Sequence, residues 1–114
     1  MATAEECRKA LESLTGRLSE MDPEDRAAHL VDRVLSCQVD DLGITFLTRL
    51  GPQGAGPVTE ATDGQPAAQV KFTTKSDDLI AIAEDPRSLA RAWLTGRVKV
   101  EASIFDLLRL RKLL

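Results

Sequence analysis

From Asp85 to Leu114 the hydrophobic period of the chain passes from helical to alternating and back to helical, with a glycine at the first change and a serine at the second. Few folds accept that order. Asp85-Pro86 reads as a helix start, a carboxylate at the cap followed by a residue whose missing N–H costs nothing in a first turn. Leu89, Ala92, Trp93 and Leu94 then make one apolar face, and Gly96 ends the helix. Val98 to Ala102 alternates as a strand with one buried side. Ser103, with Asp106 three residues on, forms a capping box of the acidic kind and starts a last helix at Ile104. Upstream, Ser76 is expected to cap a further helix that has Asp77 and Asp78 in its first turn and Leu79, Ile82 and Ala83 pointing inward.

The N-terminal part supplies the rest of the fold. Thr3, completed by Glu6, caps a first helix with Cys7, Leu11, Leu14 and Leu18 on one stripe. Asp22-Pro23 opens a short second helix through about Leu30. From Val31 to Val39 the period is two, with Leu35, Cys37 and Val39 on one side. Asp40 to Gly43 turns the chain, and Ile44, Phe46, Thr48 and Leu50 alternate in the return strand of a hairpin. Gly51 to Gly56 reads as a loop, Pro57 to Thr62 as a short edge strand, and Asp63-Gly64 as a turn. Ala68, Val70, Phe72 and Thr74 face one way in the next strand, while Gln69, Lys71, Thr73 and Lys75 face water. The tally predicts an α+β fold, a single domain over residues 1–114: a mainly antiparallel five-stranded sheet with its helices packed on one face.

Composition excludes several functions. A chain of 114 residues can bury roughly two thirds of the surface its unfolded form exposes, so it needs no staples. Cys7 and Cys37 sit in apolar patterns and read as buried hydrophobes of a reducing compartment. No signal-peptide core or membrane-length apolar run is present, and the expected location is cytoplasmic. Residues 1 to 84 hold 8 basic and 15 acidic side chains, giving −7, and residues 85 to 114 hold 7 and 3, giving +4. An acidic chain with no basic and aromatic stripe is a poor nucleic-acid binder, because phosphate neutralisation supplies most of that affinity. Its basic end, where Arg109, Arg111 and Lys112 lie among leucines, suits either transient contact with an anionic membrane surface or simple solvation.

Catalytic groups are scarce. His29 is the only histidine and tyrosine is absent, so few side chains can exchange a proton near neutral pH. Asp40-Asp41 and Asp77-Asp78 are accounted for by a hairpin turn and a helix first turn, and two distant cysteines with one histidine do not make a zinc site. Neither an enzyme nor a bound cofactor or metal is expected.

The sequence Ala92-Trp93-Leu94-Thr95-Gly96-Arg97-Val98-Lys99-Val100-Glu101 resembles the C-terminal half of the sterol carrier protein 2 (SCP2) lipid-binding domain. That family has a bulky pair, a spacer, glycine, a basic residue and an apolar-Lys-apolar strand there. Ala102-Ser103 departs from it, since many members carry glycine followed by a small or acidic residue. The resemblance implies an apolar cavity between sheet and helices that holds a sterol, a fatty acid or a fatty acyl conjugate. Phe46, Phe72, Leu79, Ile82, Leu89, Trp93, Phe105 and Leu108 would line it. The same residues would also fill an ordinary core. The resemblance therefore implies either a lipid carrier or an SCP2-like accessory module with a filled core, joined to a second copy or to a partner enzyme. The last helix carries more leucine than one packing face uses, enough to close a cavity or to meet a second subunit.

Overall fold

A computed structural model of the chain describes residues 2–20, 22–24, 32–52, 54–61 and 68–113, without the side chains of residues 18, 19 and 109–113. Beyond Glu24, the short helix expected through Leu30, with His29, lies outside the described residues, as does the turn at Asp63-Gly64.

Strands β1 (Arg33–Val39) and β2 (Ile44–Gly51) form the expected hairpin, with Cys37 opposite Phe46 and Val39 opposite Ile44. Gly43 takes φ 65° in the turn, and its N–H reaches the Val39 carbonyl at 2.9 Å. Two short strands, β3 (Gly54–Ala55) and β4 (Thr59–Glu60), both pair with β2. Strand β5 (Val70–Thr74) lies parallel to β1, with Phe72 beside Cys37, and β6 (Lys99–Glu101) runs antiparallel to β5, with Val100 beside Phe72. The strand order is β3-β2-β1-β5-β6, with β4 alongside β2.

The α+β class is as expected, but among the described residues the sheet has six strands rather than five, and its central junction is parallel. The extra strand is β3, inside the stretch that reads as a loop. Alternation with period two is the same for either strand direction, so it cannot announce the parallel pair. What fixes that junction is Gln69, whose backbone N–H donates to the Val34 carbonyl at 3.0 Å while its side-chain Oε1 accepts the Val34 N–H at 2.7 Å.

Helix α1 (Ala4–Ser19) opens on the predicted capping box: the Glu6 N–H donates to Thr3 Oγ1 and the Thr3 N–H to Glu6 Oε1, each at 3.1 Å. Helix α2 (Ser76–Glu84) is capped differently from expectation. Lys75 holds the cap position, and Ser76 is the first helical residue. The capping carboxylate comes from Asp41 in the hairpin turn, which accepts the Ser76 N–H at 2.8 Å and its hydroxyl at 2.5 Å. Ser76 Oγ in turn accepts the Ala2 N–H at 3.1 Å, so one buried hydroxyl ties the N-terminal segment, the hairpin and α2 together.

Helix α3 (Ser88–Leu94) starts two residues later than Asp85-Pro86 suggests, because the Asp85 carbonyl turns back to accept both the N–H and the hydroxyl of Ser88. It ends as expected. Gly96 has φ 79°, its N–H reaches the Trp93 carbonyl at 3.2 Å, and the Arg97 N–H reaches that of Ala92 at 2.9 Å, which together make a Schellman cap. Helix α4 spans Ile104–Leu113.

Among the described residues the core has two parts. Cys7 and Ala10 of α1 and Leu79 of α2 pack on Cys37, Val39 and Phe46 of the sheet. Ile82, Ala92 and Val98 form the second part, with Leu89 and Val100 against it. Leu14 and Phe72 touch both.

Candidate functional site

The apolar residues expected at a site fall into three groups. Phe46, Leu79 and Ile82 are only 3 to 4% exposed and belong to the packed core. Phe72, Leu89 and Trp93 are half-buried. Phe72 bridges the two core parts, and Leu89 flanks the second part from α3. Phe105 and Leu108 are 68% and 51% exposed and join neither part. The sheet, α2 and α3 therefore place Phe46 and Leu79 in the first core part and Ile82 and Leu89 at the second, with Phe72 between them, while α4 turns its two outward.

The orientation of α4 has a local cause. Asp106 is 8% exposed, and Arg33 Nε donates to both of its carboxylate oxygens at 3.2 Å. The Ser103 hydroxyl donates to Asp106 Oδ2 at 3.0 Å, and the Asp106 N–H donates to Ser103 Oγ at 3.2 Å. The predicted capping pair is thus present and is extended by an arginine from the start of β1. With 3.6 residues per turn, placing residue 106 inward puts residues 104 and 108 nearly opposite it. Ile104 is accordingly 68% exposed. Periodicity reveals apolar residues on this helix but not the distant arginine that sets its rotation.

Arg33 also borders a polar cleft of about 190 Å³, lined by Asp32, Val34, Arg49 and Gln69 as well. Its NH1 group donates to the Asp32 carbonyl at 2.8 Å, and Arg49 stands 3.9 Å from the Asp32 carboxylate. With Asp106 and Asp32 offsetting both guanidinium groups, the cleft has no net charge with which to recruit an ion.

Both cysteines are buried in the first core part. Burial, reinforced by the neighbouring Cys7, pushes the Cys37 thiol up to about 12. Burial likewise raises Cys7, with Asp41 as the leading charge contribution. A thiol held protonated is neither nucleophile nor metal ligand. Among the described residues no group of three His, Cys, Asp or Glu side chains is placed to hold a metal, and no helix is long and apolar enough to cross a membrane.

Known structures share this architecture. The crystal structure of sterol carrier protein 2 like 2 from Aedes aegypti is 14% identical, with a TM-score of 0.66 over 96% of this chain and 97% of that one. The solution structure of the palmitated form of SCP2L2 from Aedes aegypti is 17% identical, with a TM-score of 0.67 over 98% and 94%. The sec-alkylsulfatase Pisa1 from Pseudomonas sp. is 21% identical, with a TM-score of 0.58, and there 82% of this chain covers only 14% of that one. No curated protein matches the chain in sequence. The sequence model of the SCP-2 sterol transfer family matches residues 7–114, and the chain belongs to that family.

Proposed function

We propose that this protein is a non-catalytic lipid carrier of a single domain, which takes a fatty acid, fatty acyl conjugate or sterol into an apolar site between sheet and helices. The family match over residues 7–114 carries the reading, and the palmitated relative of the same fold supports a long acyl chain as ligand. Phe72, Leu89 and Trp93 are its best candidate contacts, since they are apolar, half-buried and border the second core part or lie on its helix. Affinity would come from removing acyl surface from water at about 25 cal/mol per Å², with no chemistry and no cofactor. Exchange of ligand would occur at an anionic membrane surface met by the basic C-terminal end, with the protein acting in the cytoplasm.

Trp93, the only tryptophan, is the reporter. Palmitate added to delipidated protein is expected to change its fluorescence, and native mass spectrometry of protein purified from cells is expected to show retained lipid. An unchanged spectrum across fatty acids and sterols, with no retained mass, rejects the carrier.

The near-complete burial of Phe46, Leu79 and Ile82 favours a second reading, an accessory module with a filled core that joins a second copy or an enzyme. In Pisa1 the matching part is a small fraction of a sulfatase chain. Truncation separates the two readings. In a filled core Leu89→Ala costs as much stability as Leu79→Ala, about 2 to 5 kcal/mol. In a carrier Leu89→Ala changes ligand affinity more than stability.

A further inference from the structure

The first turns of helix α4 have the reverse of ordinary amphipathic packing. Their acid, Asp106, is buried against Arg33, while Ile104, Phe105 and Leu108 stand 68, 68 and 51% exposed. Turning these three inward would mean breaking the Arg33 pair and the Ser103 cap together, so the outward face is a fixed feature of the fold rather than a frayed end. A large aromatic and two aliphatic side chains so placed at one helix start mark a binding surface.

Charge selects the occupant. The segment from 85 to 114 carries +4, against −7 for the rest of the chain. Arg97 and Lys99 are exposed on the approach to α4, and the helix sequence continues with Arg109, Arg111 and Lys112. A second copy docked through a two-fold axis would set this basic end against itself, which like charges oppose. Three side chains also fall far short of the roughly 800 Å² per partner that a stable dimer needs. An anionic lipid surface meets both conditions: it attracts the basic residues, and it takes a few apolar side chains to shallow depth.

We infer that the exposed first turns of α4 form a membrane-docking surface, in which Ile104, Phe105 and Leu108 enter the headgroup boundary of an anionic bilayer while the Arg33–Asp106 pair holds them outward. This rests on the carrier reading only for its purpose, delivery of ligand; the docking itself is testable without ligand. The test is co-sedimentation of the full chain with vesicles of phosphatidylcholine mixed with phosphatidylserine, and with vesicles of phosphatidylcholine alone. Binding is expected to the mixed vesicles, to fall with added salt, and to weaken about tenfold or more in Phe105→Ser and Ile104→Ser. Exposed positions tolerate such changes, so both variants keep the wild-type melting temperature. Ile104→Ser also keeps the Trp93 response to palmitate in solution, so failure of docking is told apart from failure of ligand binding. Absence of binding to mixed vesicles overturns the inference, as does equal binding by wild type and both variants. A change from dimer to monomer in the variants, without vesicle binding by the wild type, also overturns it and assigns the surface to a second copy.

Discussion

The Arg33 guanidinium and the Asp106 carboxylate meet at 3.2 Å across 73 positions of sequence, joining the first residue of β1 to the first turn of α4. The contact is unequal: the Asp106 side chain is 7% exposed, while that of Arg33 is 32% exposed. Loss of the acid side chain therefore strands a partly buried cation and takes the carboxylate from the Ser103 hydroxyl and the first turn of α4, leaving only the N–H of residue 106 on Ser103 Oγ, whereas loss of the arginine leaves Asp106 with the Ser103 hydroxyl. Asp106→Ala is expected to cost about 2 to 3 kcal/mol in urea unfolding, more than Arg33→Met. Equal effects of the two substitutions would show that the contact of the Ser103 hydroxyl with the carboxylate contributes nothing beyond the pair.

Two glycines with open space around them are expected to respond oppositely to alanine. Nothing lies within 4 Å of a Cβ built on Gly16 or on Gly96, so neither substitution clashes. Gly16 is inside α1, and Gly16→Ala should raise stability by about 0.5 to 1 kcal/mol. Gly96 sits at φ 79°, where an L side chain is strained, and Gly96→Ala should lower it by about 1 to 2 kcal/mol. Thermal melts of the two variants check the sign directly.

Acid should loosen the joint at Ser76. Its hydroxyl, then its amide, hydrogen-bond the charged form of Asp41 and hold that carboxyl below its ordinary value of 3.8. The folded state thus favours the deprotonated acid. Its stabilising effect is complete well above 3.8 and is lost as pH falls from there through the lowered folded value. Asp41→Ala should be less stable than wild type at neutral pH, with the difference shrinking toward pH 3 and below. A difference that stays constant with pH would remove Asp41 from the account of acid stability.

The thiols give a protection experiment. With Cys37 raised to about 12 and both sulfurs buried, iodoacetamide should leave the folded protein unmodified near neutral pH. Two adducts should appear by mass once urea unfolds it. Rapid labelling of either cysteine in the native state would mean that α1 lifts from the sheet far more often than its packing suggests.

What was legible in the residues was local. The Thr3 and Glu6 pair, the Ser103 and Asp106 pair and the stop at Gly96 need only neighbours a few positions away, and all three are formed. Alternation placed Cys37, Val39 and Phe46 on the buried side of the hairpin correctly. Most failures came where the partner was remote, the start of α3 at Ser88 being a local exception. Ser76 looks like a cap because nothing near it announces Asp41, 35 positions earlier. Phe105 and Leu108 look like core because Arg33 is invisible from α4. The same limit holds at the candidate site: a pattern marks Phe72, Leu89 and Trp93 as apolar and inward, but whether their neighbours close the space depends on contacts that no spacing encodes.

The parallel junction between β1 and β5 also orders events in time. The β1–β2 hairpin closes over a four-residue turn and can form early, but the opposite edge of β1 has its partner only at Val70–Thr74. Until that segment arrives, Leu35, Cys37 and Val39 occupy an open edge whose backbone groups can accept any extended chain. The loop that must close is long and its closing contacts are non-local, which slows folding. A chain interrupted before Val70 would lack β5 and β6 together, and with β5 the cover for its central strand.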